Sequence, residues 1–394
     1  MPRTPAWWPF HRPARKPEPT PPPPDPDASP TQGRSVRILL GLAAGVVVAF
    51  GMAAIGGILA PTLLALILTI CVQPVGRWLV SRGTPGGLAT GAVILVLFLL
   101  LAGFFGILVI AVAQFVGMLP NYSAQFQQIG TQIGAWLQSI GLGQAQVQQL
   151  AKGFDPTKFV NFFTGLLGGA FGLITFLVII LTMLILMAAD AAYTPMLLRQ
   201  LEPTKPDLVF AFSSFARSVR RYMVVTTVLG VVQGVINGVA LVLLGVPAAL
   251  LWAILSFLCS FIPNVGYFIA IIPPIVFGYL TGGWTSVIAV IIVYGVINAV
   301  VQSIVQPKVV GNAVALSQTL TFFSVLFWAI VLGPIGAILA VPLTLLGRTI
   351  LIDSDPDARA WRPVLGDLGE TRARMNEELA ARKAARIERK AGGA

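Results

Sequence analysis

The stretch FIPNVGYFIAIIPP, residues 261–274, lies inside a long hydrophobic region and carries three prolines and one glycine. Proline lacks the backbone N–H and clashes with the preceding turn, so it interrupts an α-helix. Non-helical backbone at membrane depth is tolerated only beside protein or a water-filled cavity, because lipid cannot satisfy its polar groups. The stretch therefore predicts a broken helix beside a cavity, with the side-chain amide of Asn264 next to the break.

The composition of the whole chain indicates a membrane protein. It has 394 residues, of which 56% are hydrophobic and 10% charged, whereas a soluble domain carries about 25% charged residues. Apolar runs of about 20 residues, the length of a membrane-spanning helix, recur along the chain. We expect an all-α polytopic helical membrane protein. It should have six to eight transmembrane helices plus Pro/Gly-interrupted hairpins, re-entrant in one interpretation, in its C-terminal half.

The charged and reactive residues argue against several functions. The net charge is +11, but basic residues lie at the two ends and in short connections, where they report topology rather than nucleic-acid binding. The only histidine, His11, lies in a proline-rich tail, so no histidine-based triad or metal cluster can form. The phosphate-binding P-loop pattern is missing. Cys71 and Cys259 lie in apolar segments and are expected to be buried without a disulfide. We expect no enzyme activity, no cofactor and no metal.

Apolar runs cover residues 38–58, 60–80, 88–118, 165–189 and 222–245. The segments predicted around them are a disordered Pro-rich cytoplasmic tail (1–34), N-terminal transmembrane helices (35–118), a Gln-rich extracytoplasmic amphipathic segment (119–163), a C-terminal transmembrane transport core (164–352) and a charged cytoplasmic helical tail (353–394).

The distribution of lysine and arginine predicts the topology. Basic clusters occur at 34–37, 77–82, 199–221 and 348–362. Such clusters mark cytoplasmic loops, which places the Gln-rich segment outside and both termini in the cytoplasm. The number of complete crossings should therefore be even. We expect a multi-pass protein of the bacterial cytoplasmic (inner) membrane.

Between Tyr222 and Gly347 the chain has one charged residue, Lys308, and no carboxylate. Residues 284–306 are long enough for a full crossing. Four other stretches have only 14 to 16 residues each, against about 20 for a crossing: 248–262, 266–281, 318–332 and 334–347.

Each pair of short stretches is divided by a Pro/Gly break. The sequences after the two breaks are alike: PNVGYFIAIIP runs from Pro263 to Pro273, and PIGAILAVP from Pro334 to Pro342. By the charge pattern, the first hairpin would enter the membrane from outside and the second from inside. Paired interrupted segments of opposite orientation are typical of transporters with inverted repeats. Kinked complete spans, ten crossings in total, are the alternative.

Side-chain amides within the apolar runs form a second candidate site. Gln233 and Asn237 lie in one run, and Asn298, Gln302 and Gln306 share one helical face at a spacing of four residues. Amides are costly in lipid, so this face should meet the bundle or a pathway. Interhelical hydrogen bonding is an equally good interpretation.

Three segments resemble the AI-2E family of bacterial membrane proteins, which includes exporters of autoinducer-2. They are LLGVPAALLWAILSFLCSFIPNVGYFIAIIPP (243–274), QPKVVGNAVALS (306–317) and LGPIGAILAVPL (332–343). The resemblance runs over roughly residues 35–352. It implies a small-solute transporter whose C-terminal half is interrupted by proline and glycine. It also implies a homo-oligomer, with a pentamer as one candidate.

This chain departs from the family at two positions. Gln306 stands where many members have glutamate before the proline matched by Pro307, and Cys259 stands where many have asparagine. Some relatives are linked to sodium–proton antiport, which needs a group that titrates or binds a cation. That chemistry would have to use Asp190, Lys308 or backbone carbonyls.

The leading hypothesis is a transporter that exports a small polar organic solute, such as autoinducer-2 or a related metabolite. The alternatives are a monovalent-cation/proton antiporter and a membrane scaffold that recruits partners through its tails. The expected partners are the solute, the lipid bilayer and further copies of the chain. The candidate pathway residues are Gln233, Asn237, Pro263, Asn264, Gly266, Pro273, Asn298, Gln302, Gln306, Pro307, Lys308, Gly311, Gly333, Gly336 and Pro342.

Overall fold

The computed structural model describes residues 34–140, 170–191, 193–302 and 316–355, with 358, 362 and 375–379. Every regular element of the described part is helical, as the composition predicts. The helices are α1 (Arg34–Ala54), α2 (Gly56–Ser81), α3 (Gly86–Met118), a 3-10 turn (Leu119–Tyr122), α4 (Ser123–Ser139), α5 (Ala170–Ala191), α6 (Thr194–Leu201), α7 (Pro206–Leu243), α8 (Ala249–Cys259), α9 (Gly266–Val300), α10 (Gln318–Ile338), α11 (Ala340–Arg348) and a π-helical turn (Thr349–Asp353).

Six of these helical stretches are long and apolar enough to cross a membrane. The apolar part of α1, Leu39–Ala54, and the whole of α8 are shorter. The chain forms two compact units, residues 1–49 and 50–394. In the first unit, the described apolar side chains of α1 are largely exposed, as expected of a helix whose solvent is lipid.

Helix α7 is longer than the apolar run that predicted it. It begins at Pro206, a favoured first residue of a helix, and Asp207 lies in its first turn. Its 38 residues rise about 57 Å, whereas the hydrocarbon core of a bilayer is about 30 Å thick. The predicted charged connection therefore continues as helix into α7, and the apolar half of α7 begins near Tyr222.

Helix α8 packs antiparallel along the apolar half of α7. Three glycines of α7 face α8, and a Cβ at Gly234 would lie 2.8 Å from the Ala253 carbonyl. Likewise, a Cβ at Gly238 would lie 2.8 Å from Cβ of Ala253, and one at Gly230 would lie 3.1 Å from Cβ of Ser260. Small residues spaced four apart let helix backbones approach closely in membranes. This contact fixes α8 against α7.

Helix α9 returns beside α8 and then reverses at a glycine. Gly283 has φ 59° and ψ −152°, and Gly333, inside α10, has almost the same conformation at φ 69° and ψ −154°. Only glycine adopts this region without strain. Each glycine therefore divides its helix into two segments.

The residues just before Gly283 lie near the loop that joins α7 to α8. A Cβ at Gly278 would be 3.7 Å from the Val246 side chain. Phe277 stacks on Trp252 of α8 at 5.6 Å between ring centroids. Helix α8 and residues 266–282 therefore form a hairpin, here called the first hairpin, with its tip at Pro263 and Asn264.

An aromatic cluster holds the base of the first hairpin. The Phe277 ring lies 5.1 Å from that of Phe115 in α3, and edge-on contacts add Tyr122 and Phe126 of the following helices. The phenol of Tyr279 donates a hydrogen bond to Oε1 of Gln132 at 3.2 Å. The apolar face of the Gln-rich segment thus packs against protein at Phe126.

The second hairpin consists of residues 318–332 and 334–348. Its arms are joined by a hydrogen bond of 3.0 Å from the Trp328 indole N–H to Oγ1 of Thr344. Ile262 and Val265, beside the tip of the first hairpin, pack against a buried cluster that includes Val325 and Ala337. The two interrupted regions are therefore in contact.

Helix α2 contains an interruption that another helix compensates. Pro74 has no N–H, so the carbonyl of Ile70 lacks its usual helical donor. Arg220 of α7 supplies one, because its Nε lies 3.1 Å from that oxygen. An Nη of Arg220 also lies 3.5 Å from Oε1 of Gln73. The guanidinium therefore links α7 to the kinked part of α2.

Candidate solute pathway

The break between α8 and α9 is a tight turn. Asn264 has a positive φ of 63°, and the N–H of Val265 donates to the Pro263 carbonyl at 2.8 Å. Gly266 then passes directly over the end of α8, and a Cβ there would overlap the Cys259 carbonyl. The turn brings a backbone reversal, a proline and a side-chain amide together, as the sequence predicts.

A small polar cavity of about 30 Å³ lies beside this turn. Three helices supply its walls: α7, α8 and both halves of α9. Its lining residues are Thr226, Leu229, Gln233, Ser256, Cys259, Ser260, Gly266, Tyr267, Ala270, Asn298, Val301 and Gln302. The cavity therefore unites predicted amides from segments that are 65 or more residues apart with the predicted helix break.

Hydrogen bonds connect the polar side chains along one wall of the cavity. The Ser260 hydroxyl lies 3.3 Å from Oε1 of Gln233 and donates to the Ser256 carbonyl at 2.8 Å. The Ser256 hydroxyl lies 3.4 Å from the Tyr294 hydroxyl. Nδ2 of Asn237 donates to Oγ of Ser256 at 3.2 Å. A continuous row of polar groups thus crosses from α7 through α8 to α9.

Among the residues that the structure describes, this wall has neutral hydrogen-bonding groups and no formal charge. The lining that they form contains no carboxylate, lysine or arginine. Oδ1 of Asn237, which is 1% exposed, has no hydrogen-bond partner in the described part of the chain. Within that part, no group of three His, Cys, Asp or Glu residues could hold a metal ion. Amides and hydroxyls suit a polar neutral solute or water.

The volume of the polar cavity limits what it can hold in this conformation. A cavity of about 30 Å³ has room for roughly one or two water molecules. An organic solute would need the surrounding helices to separate. The described conformation is therefore closed to such a solute.

The predicted pathway residues fall into five groups. Gln233, Gly266, Asn298 and Gln302 line the cavity. Asn237, Pro263 and Asn264 lie beside it. Gly333, Gly336 and Pro342 belong to the second hairpin, and Pro273 lies inside α9 and is not among the lining residues. Gln306, Pro307, Lys308 and Gly311 fall outside the described residues.

The second hairpin contains a packing feature that matches Gly266. A Cβ at Gly336 would overlap the Trp328 carbonyl, just as one at Gly266 would overlap that of Cys259. In each case a glycine that follows a proline passes over the end of the preceding helical segment. The likeness between the two sequences thus has a structural counterpart.

The sequence interpretation missed Thr226, Ser256, Ser260 and Tyr267. The spacing of Ser256 and Ser260, four residues apart in an apolar segment, places them on one helical face. Thr226 likewise shares a face of α7 with Gln233 and Asn237. That periodicity was available in the sequence, but the side-chain hydrogen-bond partners of the two serines come from α7 and α9.

These features define a class: a polytopic helical membrane protein with interrupted helices around a buried polar site. Residues 39–354 match the sequence profile described as "AI-2E family transporter". The match covers most of the chain, and the chain belongs to this family of membrane transporters, as the resemblance implied.

Several relatives with assigned names are similar over most of their length. The "Putative transport protein YhhT" of Escherichia coli (strain K12) is 29% identical over 309 residues, 78% of this chain and 88% of the relative. The "AI-2 transport protein TqsA" of the same strain is 26% identical over 338 residues, 86% of this chain and 97% of the relative. A "Putative transport protein" of Haemophilus influenzae is 29% identical over 337 residues, 84% and 97% of the two chains.

Proposed function

We propose that this chain exports a small, polar, uncharged organic solute, with autoinducer-2 or a related polyol as the first compounds to test. The observation that carries the proposal is the buried cavity at the helix break, whose described lining has amides and hydroxyls and no charged side chain. The relative named as an AI-2 transport protein suggests the first test compound. Direction and substrate are the parts of the proposal that experiment must decide.

The solute would enter the space between α7, α8 and the second half of α9. Its hydroxyl groups would replace the hydrogen bond between Ser260 and Gln233, and Asn298 and Gln302 would bind it from the other wall. Opening costs little when the solute replaces each hydrogen bond that is lost.

The hairpin geometry supports a movement of this kind. The eleven residues of α8 rise about 16 Å, roughly half the thickness of the hydrocarbon core. We therefore favour a re-entrant first hairpin. Together with the predicted topology, this gives six complete crossings and two hairpins. The two interrupted regions meet at the cluster that includes Val325 and Ala337. A shift of one hairpin would therefore displace side chains of the other.

A cation/proton antiporter is the second candidate. It needs a group that binds the ion, and no carboxylate occurs from residue 222 to 347. The scaffold alternative predicts that function resides in the tails. Deletion of residues 1–33 and 356–394 should leave transport largely intact if the helical core carries it.

The test is transport by the purified full chain in proteoliposomes. Loaded vesicles should exchange labelled autoinducer-2 or another polyol, with and without a proton or sodium gradient. Gln302→Leu should abolish exchange while expression and gel-filtration behaviour stay normal. The matched control is Gln128→Leu, which changes an exposed amide of α4. Normal exchange by Gln302→Leu would contradict the pathway, and instability instead of lost exchange would assign the amide to packing.

Self-association is a further part of the proposal, which rests on the resemblance alone. Light scattering of the detergent-solubilised protein should give a mass that is a multiple of 41.8 kDa, five-fold for a pentamer.

A further inference from the structure

A second, larger crevice lies between α2, α3 and α5, and the proposed pathway does not use it. Its volume is about 730 Å³. Its walls are mainly apolar, with side chains such as Val72, Ile94 and Leu184, and Arg77 is the one charged residue of its described lining. An apolar space with one cation at its edge is complementary to an amphiphile with a negative head group.

Several glycines leave this space open. No heavy atom lies within 4 Å of a Cβ built at any of the four lining glycines, which are Gly76, Gly86, Gly87 and Gly91. The glycines of α7 that face α8 differ, because α8 occupies the space beside them. In the crevice, nothing in the described part of the chain fills the equivalent space.

A second arginine adds to the positive charge near Arg77. Arg220 interacts electrostatically with Arg77, and its guanidinium contacts Gln73, which also lines the crevice. Within the described part of the chain, neither arginine has a carboxylate within salt-bridge distance. Two like charges held together without a counter-ion favour an anion that binds both.

The start of α3 adds partial positive charge to the lining of the crevice. Gly86 and Gly87 form its first turn, and no side chain caps that turn. The first N–H groups of a helix have no partner within the helix and carry partial positive charge. Gly86 and Gly87 line the same crevice as Arg77.

We propose that this crevice binds an anionic phospholipid, with one acyl chain between α2, α3 and α5. The phosphate would lie on Arg77, with Arg220 and the first turn of α3 beside it. Basic pockets between transmembrane helices bind anionic head groups in this way. An acyl chain gains free energy for each methylene that it buries. The site lies on the N-terminal helices and is separate from the polar cavity.

The test measures lipid retention by the purified full chain. The protein is reconstituted with equal amounts of phosphatidylglycerol and phosphatidylcholine, partly delipidated, and examined by native mass spectrometry. The unchanged protein should retain phosphatidylglycerol preferentially. Arg77→Gln should lower that preference about fivefold, the factor given by about 1 kcal/mol per basic residue. Arg217→Gln, an exposed arginine of α7, should leave it unchanged.

Gly91→Leu tests the acyl-chain part separately. Leucine favours the helix and would occupy open space, so retention of phosphatidylglycerol should fall without loss of thermal stability. Equal retention of both lipids would overturn the proposal, as would unchanged retention in both Arg77→Gln and Gly91→Leu. Displacement of the lipid by inorganic phosphate alone would also refute it, since the crevice would then bind a free anion only.

Discussion

Asn237 combines deep burial with incomplete hydrogen bonding. Its side chain is 1% exposed, its Nδ2 donates to Ser256, and its Oδ1 has no partner in the described part of the chain. A buried polar group without a partner costs free energy. We therefore propose that this amide contributes more to transport than to stability.

Asn237→Leu should therefore change stability by less than about 1 kcal/mol but should reduce solute exchange. Leucine has a similar size, and the Ser256 hydroxyl keeps its neighbour Tyr294. Ser256→Ala is the comparison, because it leaves both Asn237 and Tyr294 without that hydroxyl, and we expect it to cost about 1–2 kcal/mol. Thermal unfolding in detergent and exchange in proteoliposomes measure the two effects. Normal exchange by Asn237→Leu would assign the amide to packing.

Gly333 has a backbone conformation that other residues avoid. At φ 69° and ψ −154° a side chain would cost about 1–3 kcal/mol, so Gly333→Ala should lower the thermal unfolding temperature. Gly103→Ala, in the interior of α3 with open space around its Cβ, should be neutral or stabilising. Equal behaviour of the two variants would mean that α10 can straighten at this position.

Gly266 shows what sequence alone could predict at single positions. The break at Pro263 and Gly266 was predicted because proline and glycine leave local marks in a sequence. The close approach of Gly266 to the Cys259 carbonyl was not predicted, since it depends on how closely the turn folds back. For that reason we expect even Gly266→Ala to reduce stability as well as transport.

A hydrogen bond between α2 and α7 compensates for a proline in α2. The carbonyl that Pro74 leaves without a donor is satisfied by Arg220. Proline in a helix is tolerated in membranes when a neighbouring group satisfies the freed backbone. The pair should therefore behave as one unit in mutagenesis.

Arg220→Met should destabilise the protein by about 1–3 kcal/mol because the Ile70 carbonyl then lacks a donor. Pro74→Ala restores the N–H of residue 74, so the double variant should recover much of that loss. The measurement is a double-mutant cycle on thermal unfolding. Additive effects of the two substitutions would show that the hydrogen bond contributes nothing to stability.

The sequence predicted where the helices are interrupted better than where they begin. Apolar runs identified the membrane-spanning part of α7, but not its start at Pro206, because charged helices outside lipid leave no hydropathy signal. The reversal at Gly283 falls between the predicted segments 266–281 and 284–306. Its likeness to Gly333 emerges only from the backbone angles.

The arrangement of the whole chain follows from the positions of the two hairpins relative to the membrane. The charge pattern predicts that residues 119–163 lie outside and residues 190–221 in the cytoplasm. The contact of Ile262 and Val265 with the Ala337 cluster places the two interrupted regions side by side. Both features can be tested with introduced cysteines, because Cys71 and Cys259 are the only native ones.

In a background without native cysteines, Gln144→Cys and Lys205→Cys should react with an impermeant reagent from opposite sides of the membrane. The double variant Asn264→Cys with Ile335→Cys should form a disulfide under mild oxidation. If residue 264 instead reacts freely from the cytoplasm and no disulfide forms, α8 belongs to a complete crossing, and the re-entrant first hairpin is wrong.

The small size of the polar cavity has a consequence for the energy supply of the cell. Protons cross membranes along unbroken files of water, and a space for roughly one or two waters does not provide such a file. A cell could therefore carry many resting copies without discharging its proton-motive force. Vesicles that contain the protein but no solute should hold a pH gradient as long as protein-free vesicles do. A faster decay would reveal a conducting route through the closed state.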